Sequence, residues 1–315
     1  MEIIRYSKNI ILPKKKRYIA LGVFDGVHLG HQKLIKLTVD KAKKNDGISI
    51  VATFDPHPDK IINPESNIFL LTTLEERISL IKDSDVDVFL IIKFNKMMSK
   101  MSPEDFISKI LVDSLQINEL FVGFNYKFGF QGKGNTDILR EYSKFYKFKT
   151  NILKPIAAND TIISSTRIKD YIKLGEIEKA KKLLGHDITI FGRVISGKGR
   201  GRKLLNFATA NIETPLDKII PVNGVYLVEI KIDNRKYYGL MNIGVKPTFR
   251  ETERTIEVHI INFNKKIYNK KVVVNILQKI REEKYFNHPG LLKKQIEDDI
   301  LIASKIIVKR NNKID

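Results

Sequence analysis

Cysteine is absent from the 315 residues, and no apolar stretch approaches the roughly 18 residues that a membrane helix needs. The lack of cysteine excludes disulfides, cysteine-ligated zinc, iron–sulfur clusters and thiol catalysis. No secretory signal is expected either, since the apolar run Asn9–Leu12 is short and the basic run Lys14–Arg17 follows it. These features suit a reducing compartment and predict a cytoplasmic protein without a membrane partner.

Acidic residues are scarce relative to basic ones, with 36 Asp and Glu against 56 Lys and Arg and a formal net charge of +20. Such a surplus attracts anions, which include nucleotides, polyphosphates, nucleic acids and acidic lipids. Much of the surplus is lysine scattered over predicted helix surfaces, as in Lys41–Lys44. Because no basic stripe interleaved with aromatic residues accompanies the charge, a nucleic-acid partner is not expected.

The length fits about two domains, and the first half of the chain alternates between strand-like and helix-like segments. This alternation predicts right-handed βαβ units and a parallel sheet, whose ligands bind at the carboxyl ends of the strands. The predicted strands are Tyr18–Val23, Ile48–Phe54, Val86–Ile92, Glu119–Val122 and Thr150–Leu153. The predicted helices are Gln32–Lys44, Thr73–Lys82 with a Thr73/Glu76 capping box, Pro103–Leu115 capped by Ser102, Asp137–Tyr146, Thr166–Leu174 and Ile177–Leu184.

After Gly185-His186 the pattern changes to extended segments joined by turns, which is typical of an antiparallel barrel or sandwich. These segments are Ile188–Ser196, Val225–Ile232, Lys236–Ile243, Thr255–Asn262 and Val272–Ile280. A last helix runs from Pro289 to about Ile307. The predicted bounds are therefore a first domain over 1–185, a second over 186–308 and a frayed tail over 309–315.

The segment Leu21–His31 carries the strongest functional signal, because an apolar strand leads through a glycine-rich turn to His28 and His31. A helix N-terminus offers unpaired N–H groups and a positive dipole end, and imidazoles donate to phosphate oxygens without being permanent cations. The turn has neither a Walker A lysine nor a GxGxxG spacing, which disfavours the P-loop and dinucleotide-binding classes. A bare H-x-x-H is common, so the alternative of a motif without function stays open.

Three further segments of the first half contain candidate functional residues. Thr53–Pro58 ends a strand in a stiff turn with Asp55 and His57, or is a plain strand-ending turn. Phe121–Gly129 places Asn125 among aromatic residues that either stack on a flat ring or belong to the core. Ile163–Lys169 puts hydroxyls before a basic helix, which is either a second phosphate clamp or an ordinary helix cap.

In the second half, Gly192–Arg202 is a glycine- and arginine-rich loop whose N–H groups suit an anion, although a basic hairpin or an RNA-contacting loop is an alternative. Thr209 and Asn211 alternate on one face of an extended segment, so both can reach a metal and a phosphate. Glu257 and His259 share one face of a strictly alternating strand. A carboxylate there is informative only if that face is packed, because on an exposed face it is ordinary.

Taken in order, these motifs resemble the nucleotidylyltransferase half of the bacterial bifunctional riboflavin kinase/FAD synthetases. The matching segments are Gly22–His31, Thr53–Pro58 and Ile163–Thr166, and the resemblance spans nearly the whole chain. It implies a Rossmann-like domain that transfers the adenylyl group of ATP to FMN. Two positions depart from the family, because Lys169 stands where arginine is usual and Asn125 where aspartate is frequent.

The resemblance also implies roles for the first-domain residues. His28 and His31 are expected to be catalytic and to contact the α- and β-phosphates, and magnesium to bridge the phosphates. Flavin binding is expected at Asp55, His57 and Asn125. The expected ATP- and phosphate-binding residues are Gly22, Phe24, Asp25, Gly30, Ser165, Thr166, Arg167 and Lys169.

The second half resembles the family's riboflavin kinase domain, which implies an antiparallel barrel and ATP-dependent phosphorylation of riboflavin. Gly197 and Gly199 are expected at ATP, Thr209 and Asn211 at ATP and Mg²⁺, and Glu257 as the acceptor of the ribityl hydroxyl's proton. Asn242–Phe249 matches a loop on the flavin side. Asn206 and Ala208 replace the usual glycine and proline near Thr209, which predicts a slower kinase.

The sequence thus predicts a bifunctional enzyme that converts riboflavin to FMN and FMN to FAD with ATP and Mg²⁺. One alternative retains only FAD synthesis, with a weakened kinase domain that docks flavin. Another is a nucleotide- or RNA-binding regulator without turnover. The expected partners are riboflavin, FMN and ATP, together with a weak homo-oligomer.

Overall fold

The computed structural model describes residues 1–158, 161–196, 209–245 and 254–312. The chain divides into two compact units, Met1–Ser165 and Thr166–Asp315. In the part of the chain that is described, no helix is both long enough and apolar enough to cross a bilayer.

The first unit is built on a six-stranded sheet in which every neighbouring pair of strands is parallel, as the alternating pattern predicts. Its strand order is β1-β4-β3-β2-β5-β6. The strands are β1 (Glu2–Arg5), β2 (Arg17–Leu21), β3 (Ile48–Asp55), β4 (Val88–Lys93), β5 (Glu119–Gly123) and β6 (Lys149–Leu153). Every residue of β2 is buried, which is why central parallel strands read as continuous apolar runs rather than alternating ones.

The strand order reverses direction at β2, because the chain passes from β2 to β3 on one side and later returns to β5 on the other. Ligands of open parallel sheets bind beside the carboxyl ends of the strands at such a switch point. The turn that follows β2 and the Gly123–Asn125 turn that follows β5 both lie there. The topology therefore places the two sequence motifs on either side of one crevice.

Helices cover both faces of this sheet, and two apolar clusters lie beneath them. The helices are α1 (Leu29–Lys44), α2 (Pro58–Ile62), α3 (Leu74–Lys82), α4 (Lys96–Ser99), α5 (Pro103–Asp105) and α6 (Thr136–Phe145). The predicted capping box of α3 is confirmed, because Thr73 Oγ1 accepts from the Glu76 N–H and Glu76 Oε2 accepts from the Thr73 N–H. The predicted cap of α5 by Ser102 is confirmed as well.

The structure corrects the helix predicted over Pro103–Leu115. After α5 the chain continues as a π-helix over Phe106–Ser114, and the Leu115 N–H donates to the Ile110 carbonyl five residues earlier. Side-chain periodicity cannot separate this wider coil from an α-helix over so few turns. Strand β1, also absent from the prediction, is a short edge strand defined by pairing with the distant β4.

The second unit contains a closed six-stranded antiparallel barrel, with strand order β10-β13-β12-β11-β14-β9. Along the chain, the short hairpin of β7 (Ala157–Ala158) and β8 (Thr161–Ile162) follows β6. The helices α7 (Ser165–Lys173) and α8 (Ile177–Leu184) come next and precede the barrel strands. The barrel strands are β9 (Ile188–Ile195), β10 (Thr209–Glu213), β11 (Gly224–Ile232), β12 (Arg235–Val245), β13 (Arg254–Ile260) and β14 (Lys271–Arg281).

The closing helix α9 (Pro289–Asn311) extends four residues beyond the predicted end at Ile307, so the first residues of the predicted tail are helical. Its Ala303 is fully buried in a cluster with Leu227, Leu240 and Leu277 of the barrel. An ion pair adds to this contact, because both carboxylate oxygens of buried Asp299 accept from the guanidinium of Arg281 on β14 at 2.9–3.0 Å.

Loss of this buried pair is expected to destabilise the second unit. Asp299→Ala leaves the Arg281 guanidinium unpaired beneath α9, a change that typically costs about 3–5 kcal/mol. The thermal midpoint should therefore fall by several degrees in calorimetry. Asp298→Ala, one residue away and exposed, is the matched control, and equal midpoints for the two variants would contradict the role of the pair.

Candidate active sites

The turn between β2 and α1 contains three residues with positive φ, namely Phe24 (φ 55°), Gly26 (φ 85°) and Val27 (φ 40°). A glycine adopts this region freely, whereas a β-branched valine does so at an energetic cost. The surrounding hydrogen bonds must offset that strain. The turn ends at His28, which is the N-cap of α1.

His28 and His31 form a stacked pair at this helix N-terminus. Their ring centroids lie 3.6 Å apart with an interplanar angle of 17°, and the edge of the Phe24 ring meets His31 at 5.2 Å. Gly30 favours this stacking, because a Cβ at that position would lie only 3.1 Å from Cε1 of His28, a tight contact. The helix register and one glycine therefore set the geometry of the pair.

The hydrogen bonds of His28 assign its proton. Nδ1 of His28 accepts from the backbone N–H of His31 at 3.3 Å, so the neutral ring carries its proton on Nε2. Nδ1 of His31 is buried and has no hydrogen bond to any residue that the structure describes. An unsatisfied N–H there would be the costlier state, which favours the same Nε2–H tautomer for His31.

His31 is also held in its neutral form. Burial lowers the pKa of His31 well below its ordinary value of about 6.5, and the positive charges of His28 and Arg77 lower it further. At neutral pH this ring is therefore an uncharged donor. His31 therefore offers an anion an N–H group rather than a fixed cation.

The segment that enters α3 braces the turn from one side. The Thr72 N–H donates to Oδ1 of Asp25 at 3.0 Å, and the Gly26 N–H donates to Oγ1 of Thr72 at 2.8 Å. From the end of the first unit, the Ser165 hydroxyl donates to the Asp25 carbonyl at 2.9 Å. Asp25 and Ser165 thus contribute to the shape of the turn, and the predicted contact of Ser165 with phosphate stays a prediction.

Arg77 on α3, which the sequence analysis missed, holds the turn from a second side. It is 2% exposed, and its Nη1 donates to the Val23 carbonyl at 2.7 Å and to Oγ1 of Thr53 at 3.0 Å. Its Nη2 lies 3.9 Å from Oδ1 of Asp55. A signal was present, because Arg77 falls on the apolar stripe of α3 that includes Leu74 and Ile81, where a charged residue is unexpected.

The residues expected to bind flavin lie at strand ends of the same sheet. Asp55 is the last residue of β3, and its carboxylate faces Arg77. His57 caps the short helix α2 by accepting the Asp59 N–H on Nδ1. Asn125 is exposed in the turn after β5, next to the half-exposed ring of Phe124. All three residues lie at or just after the carboxyl ends of parallel strands, and their contact with flavin stays a prediction.

The remaining predicted phosphate contacts of this site, Thr166, Arg167 and Lys169, lie on α7 and belong to the second unit. Their role at the triphosphate stays a prediction. Gly22 sits directly after β2, where a Cβ would touch the Phe24 ring at 3.5 Å.

In the barrel, Glu257 lies at the centre of a row of polar side chains that crosses three strands. In the strand register it is paired with Asn211 of β10 on one side and with Asn242 of β12 on the other. Register partners in antiparallel sheets project to the same face. The Thr209 hydroxyl donates to Oε2 of Glu257 at 3.3 Å, which orients the carboxylate.

These groups offer oxygen atoms of the kind that Mg²⁺ prefers, a hydroxyl, an amide carbonyl and a carboxylate. Mg²⁺ usually takes only one or two protein ligands and completes its shell with phosphate and water. The donor set of Thr209 and Asn211 therefore fits the ion. Gly197 and Gly199, together with the Asn206 and Ala208 departures, lie outside the described residues.

The comparisons with known proteins agree with both halves of this picture. The FAD synthetase family profile matches residues 11–167, and the riboflavin kinase profile matches residues 184–307. A protein of Buchnera aphidicola described as a bifunctional riboflavin kinase/FMN adenylyltransferase is 39% identical over 97% of this chain and 98% of its own. Proteins of the same description from Bacillus subtilis and Escherichia coli are 34% and 31% identical over 90% and 96% of this chain, and 90% and 97% of their own.

Among solved structures, one described as a macrolide-efflux protein from Streptococcus pneumoniae superimposes with a TM-score of 0.87 at 28% identity. The match covers 96% of this chain and 99% of that one, so the fold is shared over nearly the whole chain.

The fold and the two matched family domains define a two-domain transferase that acts on flavins and ATP. The chain belongs to the family of bacterial bifunctional riboflavin kinase/FMN adenylyltransferases and carries both of its domains. It is an enzyme with both activities, and riboflavin, FMN and ATP are its small-molecule substrates. The findings support this prediction over a lone FAD synthetase or a regulator without turnover.

Burial of a neutral His31 predicts a pH dependence of stability. Below about pH 6.5 the unfolded chain gains the proton that folded His31 does not accept, so the unfolding free energy should fall by up to about 1.4 kcal/mol per pH unit from this group. Above pH 6.5 the contribution is constant. Urea unfolding of the wild type and of His31→Gln, followed by circular dichroism between pH 7.5 and 5, measures this contribution of His31 to the free energy of unfolding. The variant should show a shallower acid dependence, and parallel curves would contradict the assignment.

Proposed function

We propose that adenylyl transfer to FMN takes place on the turn between β2 and α1, and that riboflavin is phosphorylated at the polar row around Glu257. One observation carries the first assignment, which is the stacked pair of histidines at a helix N-terminus beside the switch point of the sheet. A triphosphate fits this surface because helix N–H groups and imidazole N–H groups converge there.

In the adenylyl transfer, an oxygen of the FMN phosphate attacks the α-phosphorus of ATP, and the bond to the β-phosphate oxygen breaks. FAD forms, and pyrophosphate leaves with the electron pair of the broken bond. No protein nucleophile is required, so the protein contributes alignment and charge stabilisation. His28 and His31 donate from Nε2 to oxygens of the α- and β-phosphates.

Several other residues serve the same site. Asp25, Gly22 and Gly30 shape the turn, and Phe24 supports His31 with its ring. Asp55, His57 and Asn125 contact the flavin from the ends of β3 and β5. Four residues at the start of α7 hold the β- and γ-phosphates, namely Ser165, Thr166, Arg167 and Lys169.

In the kinase reaction, the terminal hydroxyl of the ribityl chain attacks the γ-phosphorus of ATP, and ADP leaves. Glu257 accepts the hydroxyl proton, which an unassisted alcohol gives up poorly at neutral pH. Thr209 and Asn211 would hold Mg²⁺, which neutralises phosphate charge when bound. Gly197 and Gly199 contact ATP through their backbone.

The same proposal includes the domain bounds 1–185 and 186–308, with a tail over 309–315. Both reactions consume ATP, which supports a cytoplasmic location. A weak homo-oligomer without a nucleic-acid partner completes the proposal.

Separate sites predict separable activities. His31→Ala should abolish FAD formation and leave FMN formation from riboflavin within about twofold, because the kinase residues lie on the barrel. Chromatographic analysis of riboflavin, FMN and FAD after incubation with ATP and Mg²⁺ gives both rates from one sample. Equal loss of both products from a folded variant would overturn the assignment.

Glu257→Gln should lower the rate of riboflavin phosphorylation by about a hundredfold or more, the usual scale for a lost general base. FAD formation from supplied FMN should stay at the wild-type rate. Glu229→Gln, which alters a carboxylate on β11, two strands away from Glu257 in the barrel, is the matched control. A Glu257→Gln enzyme with normal kinase turnover would remove this carboxylate from the mechanism.

A further inference from the structure

We propose that Arg77 is a positioning residue for adenylyl transfer. Through its hydrogen bonds to the Val23 carbonyl and the Thr53 hydroxyl, Arg77 fixes the turn that presents His28 and His31. The proposal rests on the proposed role of the two histidines. Arg77 itself lies beneath the turn and is 2% exposed, so we infer that it acts through these groups rather than on the substrate.

The contacts of Arg77 form a closed set across three elements. Its Nη1 reaches both the Val23 carbonyl and Oγ1 of Thr53, and the Thr53 hydroxyl donates to the same Val23 carbonyl at 2.9 Å. Val23 belongs to the turn, Thr53 to β3 and Arg77 to α3. Two donors on one carbonyl leave it little freedom to rotate, so the peptide that leads into the turn is fixed.

The position of that peptide matters because Phe24 is the next residue. Phe24 has a positive φ, and its ring edge contacts His31. A rotation of the Val23–Phe24 peptide would move this ring away from the stacked pair. The bonds of Arg77 therefore act on His31 through one peptide and one aromatic contact.

A buried guanidinium is expensive unless it serves several acceptors, and removal of its partners is costly. Burial lowers the pKa of Arg77, whereas the carboxylates of Asp25 and Asp55 oppose that change. Arginine keeps its charge under such conditions. Arg77 is thus a permanent cation that lies under the backbone of the turn, where it is 2% exposed.

That cation also acts on the protonation of His31. The charged groups that act on this ring are His28 from the cap of α1 and Arg77 from α3, while Asp25 and Asp55 face Arg77 from the turn and from β3. Removal of the Arg77 charge should raise the pKa of His31. If the only role of Arg77 were to fill space, replacing it with an uncharged side chain of similar length would leave the titration of His31 unchanged.

Two variants separate the hydrogen bonds from the charge. Arg77→Lys keeps a cation and loses the fork, whereas Arg77→Met loses both at similar length. We expect both to lower kcat for FAD formation by about a hundredfold, the scale of a small misalignment of reacting groups. Only Arg77→Met should shift the acid limb of kcat/KM for ATP to higher pH, and FMN formation from riboflavin should stay normal in both.

An NMR titration of His31 gives a readout that does not depend on turnover. The imidazole resonance, assigned by its loss in His31→Gln, should titrate at higher pH in Arg77→Met than in the wild type. An unmoved titration, or a loss of FAD formation that matches the loss of folded protein, would overturn the proposal.

Thr53 supplies a test if the Arg77 variants fail to fold. Thr53→Val removes the hydroxyl and keeps the shape, and should lower FAD formation by about tenfold, as expected for one lost hydrogen bond to a charged group. Thr53→Ser retains the hydroxyl and should restore most of the rate. A wild-type rate of FAD formation in Thr53→Val would count against the positioning role of Arg77 and Thr53.

The outcomes also distinguish this proposal from the one it rests on. An active His31→Ala enzyme refutes the role of the histidines, whatever Arg77 does. An inactive His31→Ala enzyme beside normal Arg77 and Thr53 variants refutes the positioning role alone.

Discussion

The Val23 carbonyl is the acceptor on which the first site depends. The turn that follows it contains a valine and a phenylalanine at positive φ, and such a backbone persists only where its surroundings impose it. Arg77 and Thr53 hold the start of the turn, and Thr72 holds Asp25 and Gly26. The strained segment is thus fixed at both ends by side chains from outside it, and the helix cap at His28 completes it.

The braces of this turn lie within one short stretch of chain. Thr72 holds Asp25 and Gly26, the Thr73–Glu76 capping box starts α3, and Arg77 reaches Val23 one turn later. Because the capping box sets where the helix begins, it also sets where Arg77 points. A local helix signal therefore has a consequence at the site, since the start of α3 determines the geometry of a turn some fifty residues earlier.

Much of the fold was predictable because its signals are local. Apolar runs located the central strands, alternation located the barrel strands, and hydroxyl caps located the starts of α3 and α5. The pairing of β1 with β4 and the π-helix after α5 were not predictable, because one depends on a distant partner and the other on a single shifted hydrogen-bond register. The same limit applies to the site. His28, His31 and Glu257 stand out as motifs, whereas Arg77 acts through a carbonyl 54 residues away.

The choice of imidazoles over permanent cations has a catalytic consequence in the proposed reaction. A lysine or arginine at the α-phosphate would bind ATP strongly before any reaction, and uniform binding of that kind does not raise kcat. A neutral imidazole N–H interacts modestly with ground-state phosphate and more strongly as charge moves onto the leaving pyrophosphate, because its fixed dipole is already oriented. By keeping the guanidinium of Arg77 under the turn and the imidazoles above it, the site retains a positive field, while the proposed donors to the α-phosphate oxygens are imidazoles rather than permanent cations. In the proposed reaction, the rings then stabilise the charge that develops in the transition state more than they stabilise bound ATP.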